Sequence, residues 1–204
     1  MRRLVVLPLV LAALFGPAAG ASAAAGDGST PPSATGWVQV DAPVHDFGDD
    51  GWPYRLTVAL PSRRDPLSRL LRASEARWTL STGYARVRDS YDAATGVFKN
   101  PGGHAALFGA ARQFRWHPPA SAGPAVPRAL IEFGVHYATR RFPADGTRFN
   151  LLLVTGLEWS WRTRDASNEW SAAIVWPHFS NAGLFRRNAG YDGLALRLGR
   201  SVRF

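Results

Sequence analysis

The 204-residue sequence predicts an all-β protein, an eight-stranded antiparallel transmembrane β-barrel. Three observations predict it. An export signal opens the chain, segments near ten residues alternate apolar with polar side chains, and the last segment alternates up to its final residue, Phe204.

The signal comes first because it sets the compartment. Arg2 and Arg3 precede an apolar run from Leu4 to Phe15, and small residues follow through Gly20-Ala21-Ser22-Ala23. A charged start, a short apolar stretch and an A-x-A site describe a secretory signal peptide, here residues 1–23. The run is shorter than the roughly 20 apolar residues a membrane-spanning helix needs. Residues 24–36, mostly Ala, Gly, Ser and Pro, read as a flexible leader, and 37–204 as the barrel domain.

Eight strands are expected at about 37–43, 52–61, 75–88, 103–116, 128–141, 149–162, 169–180 and 191–204. Tyr54, Leu56, Val58 and Leu60 alternate with Arg55, Thr57 and Ala59. Trp78, Leu80 and Tyr84 alternate with Arg77, Thr79, Ser81 and Gly83. Ile131, Phe133, Val135 and Tyr137 oppose Glu132, Gly134, His136 and Ala138. Leu151, Leu153, Leu157, Trp159 and Trp161 oppose Gly156, Glu158, Ser160 and Arg162. The first and fourth segments alternate poorly. The stretch from Pro61 to Ala73 suits a short helical turn, and Pro118 to Pro127 is irregular. Apolar outside and polar inside is the pattern of a barrel in lipid, with Trp and Tyr near strand ends as interfacial girdles. Glu132, Glu158, His136, Arg162, Arg197 and Arg203 are expected in an ion-paired interior, with His136 beside an acid. An even strand number leaves no open edge in lipid and puts both chain ends in the periplasm.

The last segment, GLALRLGRSVRF, places Leu194, Leu196, Leu198, Val202 and Phe204 on one face and Ala195, Arg197, Gly199, Ser201 and Arg203 on the other. Arg200 falls on the apolar face, near enough to an end to snorkel. A final strand ending in Phe resembles the terminal signature of bacterial outer-membrane barrels, against a soluble sandwich as the alternative.

The formal net charge is +9, and Lys99 is the single lysine. Exported chains rarely meet nucleic acid, so no nucleic-acid partner is expected. The polyanion that suits so much arginine is a phosphate-bearing surface lipid, since the guanidinium fork engages two oxygens at once. There is no cysteine, which excludes disulfides, a lipid anchor on Cys and a thiol nucleophile. No phosphate loop, redox motif or metal-ligand spacing appears, and no cofactor or metal is expected. Asp46, Asp49 and Asp50 match no calcium spacing and read as a solvated loop. A homodimer stays open.

The stretch HFSNAG, residues 178–183, carries the chemistry. By strand parity Trp170, Ala172, Ile174, Trp176, His178 and Ser180 share one face, the lipid side. Pro177 cannot donate to a ladder, and a bulge there would shift that parity. Asp192, two before Leu194, belongs to the outward set of the next strand and so falls near His178 and Ser180. A hydroxyl, a base and a carboxylate to orient the base are what acyl transfer needs. Asn181, Ala182 and Gly183 supply amide donors where an oxyanion develops. Equally, His178 and Ser180 are two polar residues where a strand meets water.

The longer stretch HFSNAGLFRRNAGYD resembles the C-terminal signature of the lipid A 3-O-deacylase family: an H-x-S-N-A-G element, an Asn-x-Gly turn (Asn188 and Gly190), then an acid opening the last strand. ALIEFGVHY at 129–137 is similar to that family's middle strand. The resemblance implies an eight-stranded outer-membrane barrel that hydrolyses the 3-position ester of lipid A in lipopolysaccharide. Carried over by position, it makes Ser180 the nucleophile, His178 the general base, Asp192 the carboxylate and Asn181 a helper of the oxyanion hole. The departure is Asp192, where the best-known members carry Glu. Against it stand a non-catalytic barrel serving adhesion or membrane integrity, and an outer-membrane phospholipase with its own Ser/His spacing and a calcium site.

Overall fold

The computed structural model describes residues 35–47, 51–62, 66–92, 94–100, 102–118, 126–162, 168–184 and 190–203. The signal peptide, most of the leader, Asp49, Asp50, most of 118–127, Asn188 and Phe204 lie outside them.

Ten strands form: β1 (Thr35–Asp46), β2 (Gly51–Pro61), β3 (Glu75–Val87), β4 (Ser90–Asp92), β5 (Val97–Asn100), β6 (Gly103–Trp116), β7 (Arg128–Ala138), β8 (Phe149–Arg162), β9 (Glu169–Ser180) and β10 (Tyr191–Arg203). Eight close a barrel in the order β1-β10-β9-β8-β7-β6-β3-β2, and β4 with β5 makes a separate hairpin in the β3–β6 connection that the sequence did not announce. The expected helical turn is α1 (Pro66–Leu70). With an even count, Thr35 and Arg203 meet as register partners at one rim, called lower here. The β9–β10 turn lies at the upper rim.

Outward positions carry an exposed apolar belt that includes Leu80, Val135, Leu153, Leu157, Ile174, Leu196 and Leu198. Water would not tolerate so continuous a belt; lipid does. Inward positions hold charge. Arg55 binds Asp41 and Glu132 at 2.8 Å each, and Arg197 binds Asp41 at 2.6 Å and Glu132 at 3.1 Å. Nearer the lower rim Arg115 meets Glu158 at 2.9 Å, and the Arg77 guanidinium lies 4.4 Å from the Trp37 ring. Buried charges persist where each is paired and hydrogen-bonded, and two acids shared between two guanidinium forks meet that condition.

Several expectations change. Arg162 and Arg203 are exposed at the lower rim, outside the interior network, because the strands end there. His136 is buried near Glu132 but, among the described residues, forms no ion pair with it: its ring packs edge-on to Phe179 at 5.0 Å, and Nε2 has no hydrogen-bond partner. β7 stops at Ala138, where the chain enters a turn closed by the Gly146 N–H donating to the Pro143 carbonyl at 2.8 Å. Asp46 is buried at the end of β1 opposite Gly193, so it is no loop acid. β1 begins at Thr35, two residues into the expected leader.

The poor alternation in β1 and β6 has local causes. Pro43 lacks an N–H, and the register with β10 shifts between Pro43 and His45. Trp37 points inward under two arginines. In β6 the outward Arg112 lies 4.5 Å from the Trp78 ring, so a cation sits on the apolar face by stacking on an aromatic.

Candidate active site

β9 and β10 run side by side without a bulge. Tyr191 pairs with Phe179, Asp192 with His178 and, past a gap in the ladder at Gly193 and Leu194, Ala195 with Val175 in the same register. Pro177 sits within it opposite Val154 of β8. The parity is therefore undisturbed: Phe179, Pro177, Val175 and Tyr191 are buried, while Trp176, His178, Ser180 and Asp192 take the outer face.

Two residues along a strand are separated by roughly 6.7 Å, a gap an imidazole ring spans. Across the strands, His178 Nδ1 lies 2.9 Å from Asp192 Oδ1. The carboxylate accepts, which puts the Nδ1 proton on His178 and leaves Nε2 as the acceptor nitrogen. Both side chains are part-exposed, 36% for His178 and 43% for Asp192. Among the described residues no hydrogen bond joins Ser180 to His178; such contacts commonly tighten only when substrate arrives.

The turn after Ser180 is built for tightness. Leu184 N–H donates to the Asn181 carbonyl at 2.9 Å, and Ala182 and Gly183 both take positive φ, 49° and 79°. Two consecutive left-handed residues define a primed hairpin-type turn, which explains a glycine at 183. The Asn181 side chain is buried, and its Oδ1 accepts the Gly183 N–H at 2.9 Å. That N–H is thus engaged within the turn.

Three features escaped the sequence reading. The Trp176 indole N–H donates to Asp192 Oδ1 at 2.9 Å, the same oxygen that receives His178. A Cβ on Gly190 would stand 3.3 Å from His178 Cε1 and 3.9 Å from Ser180 Cβ, so the missing side chain gives the pair its room. Behind the site, inside the barrel, Phe179, Tyr191 and Phe142 pack with centroids 5.3–5.8 Å apart. Phe179 lies between His178 and Ser180 in sequence, and Tyr191 precedes Asp192, so this aromatic plug stiffens the backbone that carries all three polar groups. Only register across β9, β10 and β1 reveals these contacts. The histidines at 45, 104 and 117 stay apart from the site's polar trio: His45 packs on Phe47, His104 on Tyr84, and His117 lies 3.7 Å from Glu75. Among the described residues no group of three acids, histidines or cysteines has the arrangement to hold a metal ion.

Residues 71–201 match the family described as lipid A 3-O-deacylase (PagL), a span of more than half the chain that includes His178, Ser180 and Asp192. The chain belongs to that family. As a member of the lipid A 3-O-deacylase family it is an outer-membrane protein with a lipid A deacylase function. Among solved structures, the outer membrane enzyme PagL is 16% identical, aligned over 80% of this chain and 97% of that one with a TM-score of 0.45. A major outer membrane protein from Thermus thermophilus is 13% identical, over 84% and 100%, with a TM-score of 0.44. No curated protein matches the deacylase in sequence.

Proposed function

We propose that the protein is a serine esterase that removes the 3-O-linked hydroxyacyl chain of lipid A, with Ser180 as nucleophile, His178 as general base and Asp192 as the group that orients and charge-balances His178. The observation that supports this reading is the His178–Asp192 hydrogen bond on the outer face, with Ser180 two residues along the same face. Polar groups turned toward lipid are costly in a barrel. The cost has a purpose when the substrate is itself a lipid.

The chemistry follows from the acceptor nitrogen. His178 Nε2 takes the Ser180 proton as Oγ attacks the ester carbonyl, and Asp192 stabilises the imidazolium that forms. The tetrahedral oxyanion needs N–H donors near Ser180. With the Gly183 N–H engaged in the turn, this reading assigns the oxyanion to the Ala182 end of the trio. Collapse expels the sugar 3-oxygen, which receives the proton from His178. Water, deprotonated by the same nitrogen, then releases the 3-hydroxy fatty acid and restores Ser180.

In this reading the upper rim faces outward, in the leaflet that holds lipopolysaccharide, and the chain ends lie in the periplasm after removal of residues 1–23. The deciding experiment is mass spectrometry of lipid A from cells that express the protein. Loss of one 3-hydroxyacyl chain is the expected result. Unchanged lipid A favours an adhesive or structural barrel, and cleavage of phospholipid instead favours a phospholipase.

A further inference from the structure

We propose that Trp176 is a positioning residue for Asp192, holding the carboxylate so that it meets His178; this rests on the triad reading above. The indole N–H and His178 Nδ1 both reach Asp192 Oδ1, each at 2.9 Å. One donor fixes a distance but lets a part-exposed carboxylate swing about its last torsion, which is a broad well. Two donors from different side chains restrict that rotation. At the membrane rim water reaches only part of the carboxylate, so a second protein N–H stabilises the oxygen that His178 already engages.

Trp176 is itself held. Its ring lies 5.3 Å from that of Phe47, tilted by 35°. The Phe47 backbone N–H donates to the Asp192 carbonyl at 3.0 Å. One residue at the barrel seam thus braces both the backbone of the carboxylate and the ring that points at it.

The simpler view makes Trp176 a girdle residue, its N–H directed to headgroups. Its place argues otherwise. Among the described side chains, the outward tryptophans at 78, 116, 159, 161 and 170 lie on the lower-rim portions of their strands, where β3 and β9 begin and β6 and β8 end. Trp176 stands apart, two residues before His178. Its indole N–H is spent on Asp192, inside the candidate site.

The test is Trp176→Phe in the full-length protein, assembled in detergent micelles with lipid A as substrate and released 3-hydroxy fatty acid as readout. Phenylalanine keeps a ring against Phe47 and removes only the N–H. Turnover is expected to fall about tenfold, the effect of one hydrogen bond, with apparent KM unchanged within about twofold. In an Asp192→Ala background the same substitution should do nothing further, because its acceptor is gone. Phe47→Leu, which leaves the indole N–H in place but loosens its brace, should give a smaller loss of the same kind. An equal loss in both backgrounds, a change confined to apparent KM, or full activity in Trp176→Phe overturns the proposal. Ser180→Ala is assayed alongside. If that variant stays active, the triad reading itself fails; if it is inert while Trp176→Phe is fully active, only the role of Trp176 fails.

Discussion

Charged and polar side chains occupy two regions of this barrel on opposite terms. In the interior, Arg55, Arg197, Asp41 and Glu132 have at most about 6% of their side-chain surface exposed, and each touches two opposite charges. On the outer face, Asp192 and His178 share one hydrogen bond, and both are part-exposed. Mutual satisfaction makes the first set a cross-brace between β1, β2, β7 and β10. Incomplete satisfaction makes the second set reactive. A general base needs an acceptor nitrogen that no protein donor has claimed, and a brace needs the reverse.

The separation can be broken by exchanging the phenotypes. The largest effect is expected for Ser180→Ala: loss of more than about a thousandfold in deacylation, with assembly intact, read as unchanged heat-modifiable migration of the barrel on a gel. A rim hydroxyl contributes little to a closed barrel. Retained activity would falsify the nucleophile assignment.

Next in size is Glu132→Gln, which leaves Arg55 and Arg197 with Asp41 alone. Removing one partner of a buried pair costs about 3–5 kcal/mol. Urea unfolding of the barrel in vesicles should show a loss of that order, while activity per assembled barrel stays within about twofold, since among the described residues no hydrogen bond links the two regions. A dead but stable Glu132→Gln would mean that the interior network reaches the chemistry.

Asp192→Asn keeps shape and removes charge. In serine proteases the equivalent change costs about ten-thousandfold; a hundredfold or more is expected here, because a rim site lets water hold part of the imidazole. Asp192→Glu should keep substantial activity, the carboxylate being retained. If Asp192 only shaped the turn, Asn, a good turn residue, would be the better tolerated of the two. The order of the two activities sharpens the contrast between an orienting carboxylate and a structural one.

The smallest effect belongs to Gly190→Ala. Its Cβ would meet His178 Cε1 at 3.3 Å, a contact the part-exposed ring relieves by a shift of a few tenths of an ångström. Turnover should fall by roughly three- to tenfold, in line with the sensitivity of catalytic geometry to small displacements. A full loss would show that the ring has no room to give.

How much of this was legible in the sequence depended on the local pattern. β7, β8 and β10 largely alternate, because one face meets lipid and the other carries polar or charged side chains, with Arg200 as an exception. β9, whose inward Ala173, Val175, Pro177 and Phe179 are also apolar, was placed by its outward Trp170, Ile174 and Trp176. The faces of these strands, and so the proximity of His178, Ser180 and Asp192, could be read by parity. β1 and β6 could not. An inward tryptophan, a bulge at Pro43 and an outward arginine stacked on Trp78 each violate the pattern for a tertiary reason. Asp41 stayed hidden for that reason, although it anchors the interior network. Trp176 was legible as an outward residue but not as a partner of Asp192, since the side-chain contact between strands depends on rotamer as well as register. The turn at 181–183 was legible as a source of amides. That Asn181 would consume one of them was not.

The central claim is that Ser180 is an activated nucleophile on the membrane face. The most direct measurement is labelling of the folded protein in micelles with a fluorophosphonate, followed by peptide mass spectrometry. Serine hydroxyls react with such reagents only when a neighbouring base makes them nucleophilic. The expected result is a single adduct on Ser180, parallel loss of deacylation, and strongly reduced labelling in His178→Ala. Full deacylation with no adduct, or an inactivating adduct on another residue, would contradict the account.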